Sequence, residues 1–243
     1  MTMIQSITRL ANGLLGVAAN QFDGLKHEHR IGAVPSMSQG QTGTIWDIDD
    51  TIYPWSAFAS ATTLTVDRAS ASDADKLALL EGLDENYYPV SEEVTLTSAT
   101  GNATSQSFIR LLAVHMTDGS STNVGDVTVK ASTTPVGRIK AGRGMAMMGI
   151  YTVPAGYSAY LLKGVATCQS GADATGDMFV RYGGEESFLV GHSFEVSGSG
   201  GEYEYNFPIP LRIPEKSDID VRAKVRSNNA RITAAFDILL EAN

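Results

Sequence analysis

From about Thr44 onward the apolar residues recur at every second position, and a chain that holds this period through most of its length is committed to sheet. Ile219, Val221, Ala223 and Val225 alternate with Asp218, Asp220, Arg222, Lys224 and Arg226, which predicts a strand with one buried and one wet face. After Ser227-Asn228-Asn229, Ile232, Ala234, Phe236, Ile238 and Leu240 alternate with Arg231, Thr233 and Asp237, so the two runs read as a C-terminal hairpin. Before them Tyr203, Tyr205 and Phe207 alternate with Glu202, Glu204 and Asn206, and Pro208 and Pro210 mark a strand end or an edge. Shorter runs of the same kind cover 62–67, 76–82, 90–97, 107–116, 126–130, 146–153, 158–167, 177–182 and 187–196. Their spacing leaves no room for crossover helices, apart from one short helical candidate at 71–80. The expectation is a mainly β fold, an antiparallel β-sandwich with long connections, spanning 44–243 and divisible into halves 44–140 and 141–243.

Residues 1–24 follow another period. Ile4, Ile7, Ala11, Leu14, Leu15, Ala18 and Phe22 fall within about 100° of one another on a helical wheel, which predicts one amphipathic helix. Gly13 and Gly16 each cost such a helix about 1 kcal/mol relative to alanine, so it depends on docking its apolar stripe. Ile4, Ile7, Leu14 and Leu15 are the candidate partner-binding residues, toward the chain's own domain or a neighbouring subunit. Residues 25–43 show no period and read as a linker or arm. Met1 to Gln5 carries no Lys or Arg, so an export signal is not expected.

Charge and composition narrow the function classes. With 27 Asp+Glu against 18 Lys+Arg the formal charge is −9, and no basic patch stands out, so no nucleic-acid partner is expected. No stretch approaches the roughly 20 apolar residues of a membrane span. The single cysteine, Cys168, cannot form an internal disulfide and reads as a small buried apolar residue.

Three constellations invite chemistry. Asp47-Ile48-Asp49-Asp50-Thr51 resembles the first motif of haloacid dehalogenase-like phosphatases, with Asp47 as nucleophile and Asp49 as acid/base. That chemistry needs a parallel strand before the motif and a helix after it, whereas here a Gly/Thr-rich stretch precedes it and strands follow. The favoured reading is a solvated acidic turn, at most an adventitious cation site, with Trp46, Tyr53 and Trp55 packed on the sandwich edge. His27-Glu28-His29 offers two metal ligands without a third in sequence, and His115 and His192 lie in strand runs. No catalytic residue, metal or cofactor is expected. The glycine-rich tips at 169–176 and 197–201 are candidate recognition loops.

The segments Tyr151-Thr152-Val153-Pro154-Ala155-Gly156-Tyr157, Phe179-Val180-Arg181, Asn206-Phe207-Pro208-Ile209-Pro210, Ile213-Pro214-Glu215-Lys216-Ser217-Asp218-Ile219 and Ala234-Ala235-Phe236-Asp237-Ile238 resemble a family of virion structural proteins of tailed phages, notably those of marine bacteria. Ile45-Trp46-Asp47, Tyr53-Pro54-Trp55, Glu81-Gly82-Leu83-Asp84-Glu85-Asn86-Tyr87 and Glu93-Val94-Thr95-Leu96 extend the likeness over about residues 32–243. The resemblance implies a jelly-roll-like, non-enzymatic component of the virion. The expected partners are the major capsid protein or tail proteins, and a homo-oligomer, with a trimer favoured, is expected from the docking of the N-terminal helix. Head decoration (a cement protein) is the leading role. The alternatives are a tail-associated adaptor and a receptor- or glycan-binding module.

Overall fold

The computed structural model describes residues 13–18, 21–48, 50–117, 122–169, 171–197 and 201–243. Among the described residues one short α-helix, α1 (Gly13–Ala18), is followed by sixteen strands, all paired antiparallel, with 3-10 turns at Trp55–Phe58 and Ala71–Asp73. The helix expected over 1–24 does not run to residue 24. The Phe22 ring packs so closely on Gly16 that a Cβ there would lie 2.5 Å from it, and Gly24 takes a left-handed φ of +79° that turns the chain into a strand.

That strand overturns the linker expected at 25–43. β1 (Leu25–Met37) pairs in long register with β16 (Ala230–Ala242), and β2 (Thr42–Thr44) pairs with β15 (Asp218–Val225). β1 escapes a period-two reading because it lies at a sheet edge, where Lys26 to Arg30 place polar groups on both of its faces.

The strands form two sandwiches. The first contains β3 (Thr62–Arg68), β4 (Leu77–Leu83), β5 (Pro89–Thr95), β6 (Asn102–Phe108), β7 (Arg110–Met116), β8 (Val127–Ala131) and β9 (Thr134–Ile139). Their orders are β6-β3-β8-β9 in one sheet and β5-β4-β7 in the other. The second contains β10 (Ile150–Thr152), β11 (Tyr157–Cys168), β12 (Ala174–Arg181), β13 (Leu189–Val196), β14 (Glu202–Ile213), β15 and β16, with β1 and β2. Its sheets run β1-β16-β11-β14 and β10-β15-β12-β13, with β2 also on β15.

The first sandwich is thus inserted between β2 and β10. The chain leaves and returns at one point: Ile45 N–H donates to Val221 O, Val221 N–H to Gly149 O and Gly149 N–H to Ile45 O. Gly32 sits against this crossing, where a Cβ would come within 2.1 Å of Ile45 O.

The expected C-terminal hairpin is not formed. β15 and β16 lie in opposite sheets, and the turn carrying Asn228 at φ +54° crosses between them. Crossing lets Val221, Ala223 and Val225 face Ile232, Ala234 and Phe236 within one core, whereas a hairpin would set both rows on the same face of a single sheet. The other face of β15 is not wet at its start. Asp218 and Asp220 are 2% and 0% exposed, because that face meets the inserted sandwich.

Candidate functional site

Of the predicted partner-binding residues, Ile4 and Ile7 lie outside the described residues. Leu14 and Leu15 fall on α1, with their side chains also outside the description.

The described part of the acidic motif is tied into the surrounding backbone. Asp47 is buried, not solvated: its carboxylate accepts Met147 N–H (2.8 Å) and Arg143 Nη1 (2.8 Å), and Arg138 donates to the carbonyls of Asp47 and Ile48. Burial pushes its carboxyl above the usual range, against the pull of Met147 N–H and Arg143. Asp50 accepts Ser38 N–H, and Asp49 lies outside the described residues. Trp46, Tyr53 and Trp55 do not sit on an edge. They are core, stacked edge to face at 5.0 and 4.8 Å.

The histidines find local partners. His27 Nε2 and His29 Nδ1 lie 3.0 and 2.8 Å from Asp237 Oδ1 on the adjacent strand β16. His192 packs on Tyr205 and Phe207, with Nε2 2.7 Å from Tyr203 Oη, and burial lowers its pKa. Cys168 is buried, and burial raises its thiol pKa. Of the two glycine-rich tips, residues 170 and 198–200 lie outside the described residues.

The densest polar cluster joins the two sandwiches, and a period-two reading had placed half of it in solvent. Asp218 accepts Arg110 Nε (2.8 Å) and Thr152 Oγ1 (2.6 Å) on Oδ1, and Arg110 Nη2 (3.1 Å) and Arg181 Nε (3.0 Å) on Oδ2. Asp220 accepts Thr44 Oγ1 (2.7 Å), Trp55 Nε1 (2.9 Å) and Arg222 Nε (2.8 Å). A buried carboxylate is tolerated only when its lone pairs are filled this way. Arg110 comes from the first sandwich and Asp218 from the second. Desolvation opposes the Arg110 charge, but Asp218 outweighs it and holds the guanidinium above its ordinary pKa.

Over this network opens a cleft of about 460 Å³, lined among others by Phe58, Tyr87, Arg181, Tyr182, Glu185 and Lys216. Arg110 and Arg181 both lie over the Trp55 ring, 5.5 and 5.4 Å from its centroid.

On the second sandwich β13 and β14 each end a sheet, opposite β10 and β1, and they approach each other: a Cβ on Gly191 would lie 3.6 Å from Leu211. Leu189 and Val190 are each 56% exposed and Ile209 is 84% exposed. Pro208 and Pro210 mark an edge as expected, since β14 pairs only with β11, and they lie where its register slips between Asn206 and Leu211.

No family model matches the chain, and no curated protein matches it. Among solved structures it is similar to the Eiger TNF of S. frugiperda, at 8% identity over 75% of this chain and 93% of that one, with a TM-score of 0.25. It is also similar to the cowpea mosaic virus top component, at 7% identity over 76% and 83% of the two chains, with a TM-score of 0.23. Against the VP2 subviral particle of infectious bursal disease virus the identity is 10% over 95% and 77%, with a TM-score of 0.21. TM-scores this low give the likeness no weight for family or function.

Proposed function

We propose that this chain is a non-enzymatic structural component of a phage virion, a capsid decoration or cement protein acting as a homotrimer. The observation that carries the reading is the strand order of the second sandwich. β1, β16, β11 and β14 face β10, β15, β12 and β13, so from β10 onward every successive pair of strands except β12–β13 swaps sheets, as in a jelly roll, an architecture used by viral capsid domains and by lectins. The two segments that carry the phage resemblance most specifically also meet in space. Val153 N–H donates to Ser217 O (2.9 Å), Lys216 N–H to Val153 O (2.8 Å) and Gly156 N–H to the Glu215 carboxylate (2.6 Å). What resembles the family is therefore the framework at the junction of the sandwiches.

Attachment in this reading uses the apolar stripe of the N-terminal segment, with Ile4, Ile7, Leu14 and Leu15 as anchors, together with the open β13–β14 edge. Salt screens charge, so apolar contact is the dependable term. The net charge of −9 keeps the remaining surface from aggregating. A second reading, a tail-associated adaptor or receptor-binding module, is favoured by the cleft.

Immunogold labelling of intact particles with antibody against residues 44–243 tests the proposal. Label over the whole head supports decoration. Label confined to the tail or one vertex moves the protein to the second reading, and unlabelled particles remove the virion role. Deleting residues 1–24 should abolish attachment while leaving both sandwiches folded, as read by circular dichroism.

A further inference from the structure

The geometry points to the cleft between the sandwiches as a binding site for a carboxylate-bearing sugar ring, of the uronic acid class. The inference goes beyond the virion reading and does not depend on where the protein sits in a particle. Its first support is charge. Two guanidinium groups, Arg110 and Arg181, share the single carboxylate of Asp218, which leaves one positive charge in excess at the floor. Lys216 adds another at the rim, with Glu185 the opposing carboxylate. Among the described residues Lys216 Nζ makes a ring contact and no ion pair, and Arg181 spends Nε and Nη2 on Asp218 while Nη1 makes no hydrogen bond. A chain of net charge −9 thus holds unspent cationic donors in a concave site.

The second support is backbone conformation. Tyr87 and Lys216 adopt φ of +67° and +60°, the left-handed region that L side chains rarely occupy and that clusters at ligand sites. The two residues face each other, with Lys216 Nζ 5.9 Å from the Tyr87 centroid, and both line the cleft. Each turn is tied to the same short segment, Ala155 N–H bonding Tyr87 O and Lys216 N–H bonding Val153 O. Gly183 lets the second turn approach: a Cβ there would lie 2.8 Å from Glu215 O. Glycine would relieve both turns, yet the chain places a ring and an ammonium group there, lining one space.

The third support is the match between lining and ligand. About 460 Å³ lies within the roughly 300–1,000 Å³ of small-molecule pockets. Tyr182 places a ring in the lining for the C–H side of a pyranose, Arg181 and Lys216 supply charge-assisted donors for its carboxylate, and Glu185 accepts hydrogen bonds from its hydroxyls. Glu185 also disfavours the second negative charge of a phosphate, and a neutral sugar leaves the cations unspent.

The test uses the full chain in saturation-transfer NMR and titration calorimetry with D-glucuronate, D-glucose and inorganic phosphate. Saturation of the glucuronate ring protons is expected, with none for glucose and no displacement by equimolar phosphate. Lys216→Gln should weaken glucuronate about tenfold, the loss of one charge-assisted bond, with an unchanged melting temperature. An equal response from glucose, displacement by phosphate, unaltered binding in Lys216→Gln, or no transfer from glucuronate would each overturn the assignment. None of these outcomes alters where the immunogold label falls.

Discussion

The first sandwich is held by polar side chains that reach back to its own backbone, whereas the second is held by long ladders and an apolar interior. In the first, Asp73 is fully buried and accepts Val124 N–H (2.7 Å), Gly125 N–H (2.8 Å) and Lys76 Nζ (3.0 Å). Glu92 clamps the N–H groups of Ser105 and Gln106, and Asn123 donates to three carbonyls. In the second, β1, β11, β14 and β16 run 13, 12, 12 and 13 residues, long enough to span its whole sheet. Exposed apolar side chains divide the same way. Ile52, Tyr88 and Val124 are scattered over the first unit, while Leu189, Val190 and Ile209 gather on neighbouring edges of the second. Scattered apolar residues are ordinary surface, whereas a gathered patch beside open edges suits a partner. The inserted unit is stapled to itself, whereas the second sandwich gathers its exposed apolar side chains along two neighbouring edges.

The largest expected effect breaks the link between the two. Asp218→Asn leaves buried Arg110 and part-buried Arg181 without their shared anion and should cost about 3–5 kcal/mol. Calorimetry should then show two thermal transitions in place of one; a single unmoved transition would mean the sandwiches do not communicate through this pair.

Next, Asp73→Ala should destabilise the first sandwich by about 1–2 kcal/mol, since two part-buried N–H groups lose their acceptor. Acid should find the same weakness. Burial raises the carboxyl pKa values of Asp67, Asp73 and Glu92, but backbone N–H groups outweigh it, joined by Lys130 at Asp67 and Lys76 at Asp73, and hold all three below the ordinary range. A carboxyl lowered on folding contributes stability that is complete above its unfolded pKa of about 4 and is lost as pH falls through the folded value. In the second sandwich Asp237 is lowered in the same sense, its burial outweighed by His29 and His27, and Glu204 is lowered at the surface by Lys163. Below about pH 4 the first sandwich should therefore lose amide protection before the second, as hydrogen exchange would read; the reverse order would contradict the contrast.

The smallest effect on stability should come from Ile209→Ser with Leu189→Ser, within about 0.5 kcal/mol at exposed positions. Light scattering should nevertheless show a smaller assembly. Val124→Ser on the first sandwich, at 58% exposure, should leave the mass unchanged.

Much of the sheet was legible because alternation is a local signal: β12, β15 and β16 all show it plainly. What alternation cannot encode is the partner. A hairpin and a sheet-crossing pair bury the same residues, so β15 and β16 look alike in either arrangement. β1 was unreadable because its Lys-His-Glu-His-Arg run is polar on both faces, one toward Asp237 and the other toward the junction, where Arg30 stacks on Tyr151 at 4.7 Å. The cleft had no sequence signature either. Tyr87 and Lys216 are far apart in the chain, and Asp218 reads as solvent-facing until Arg110 is folded against it.

The pairing of β1 with β16 sets an order of events during synthesis. β1 is made early, but its main-chain partners from Ala230 to Glu241 come about 200 residues later, after the whole inserted unit. The strand ladders of the first sandwich all lie between Thr62 and Ile139, so they can form while the remainder is still being translated, although Arg110 and Trp55 wait for Asp218 and Asp220. The emerging chain thus carries a sandwich with its ladders within reach and a waiting strand, and both the second sheet and the polar junction close only when the last two strands arrive.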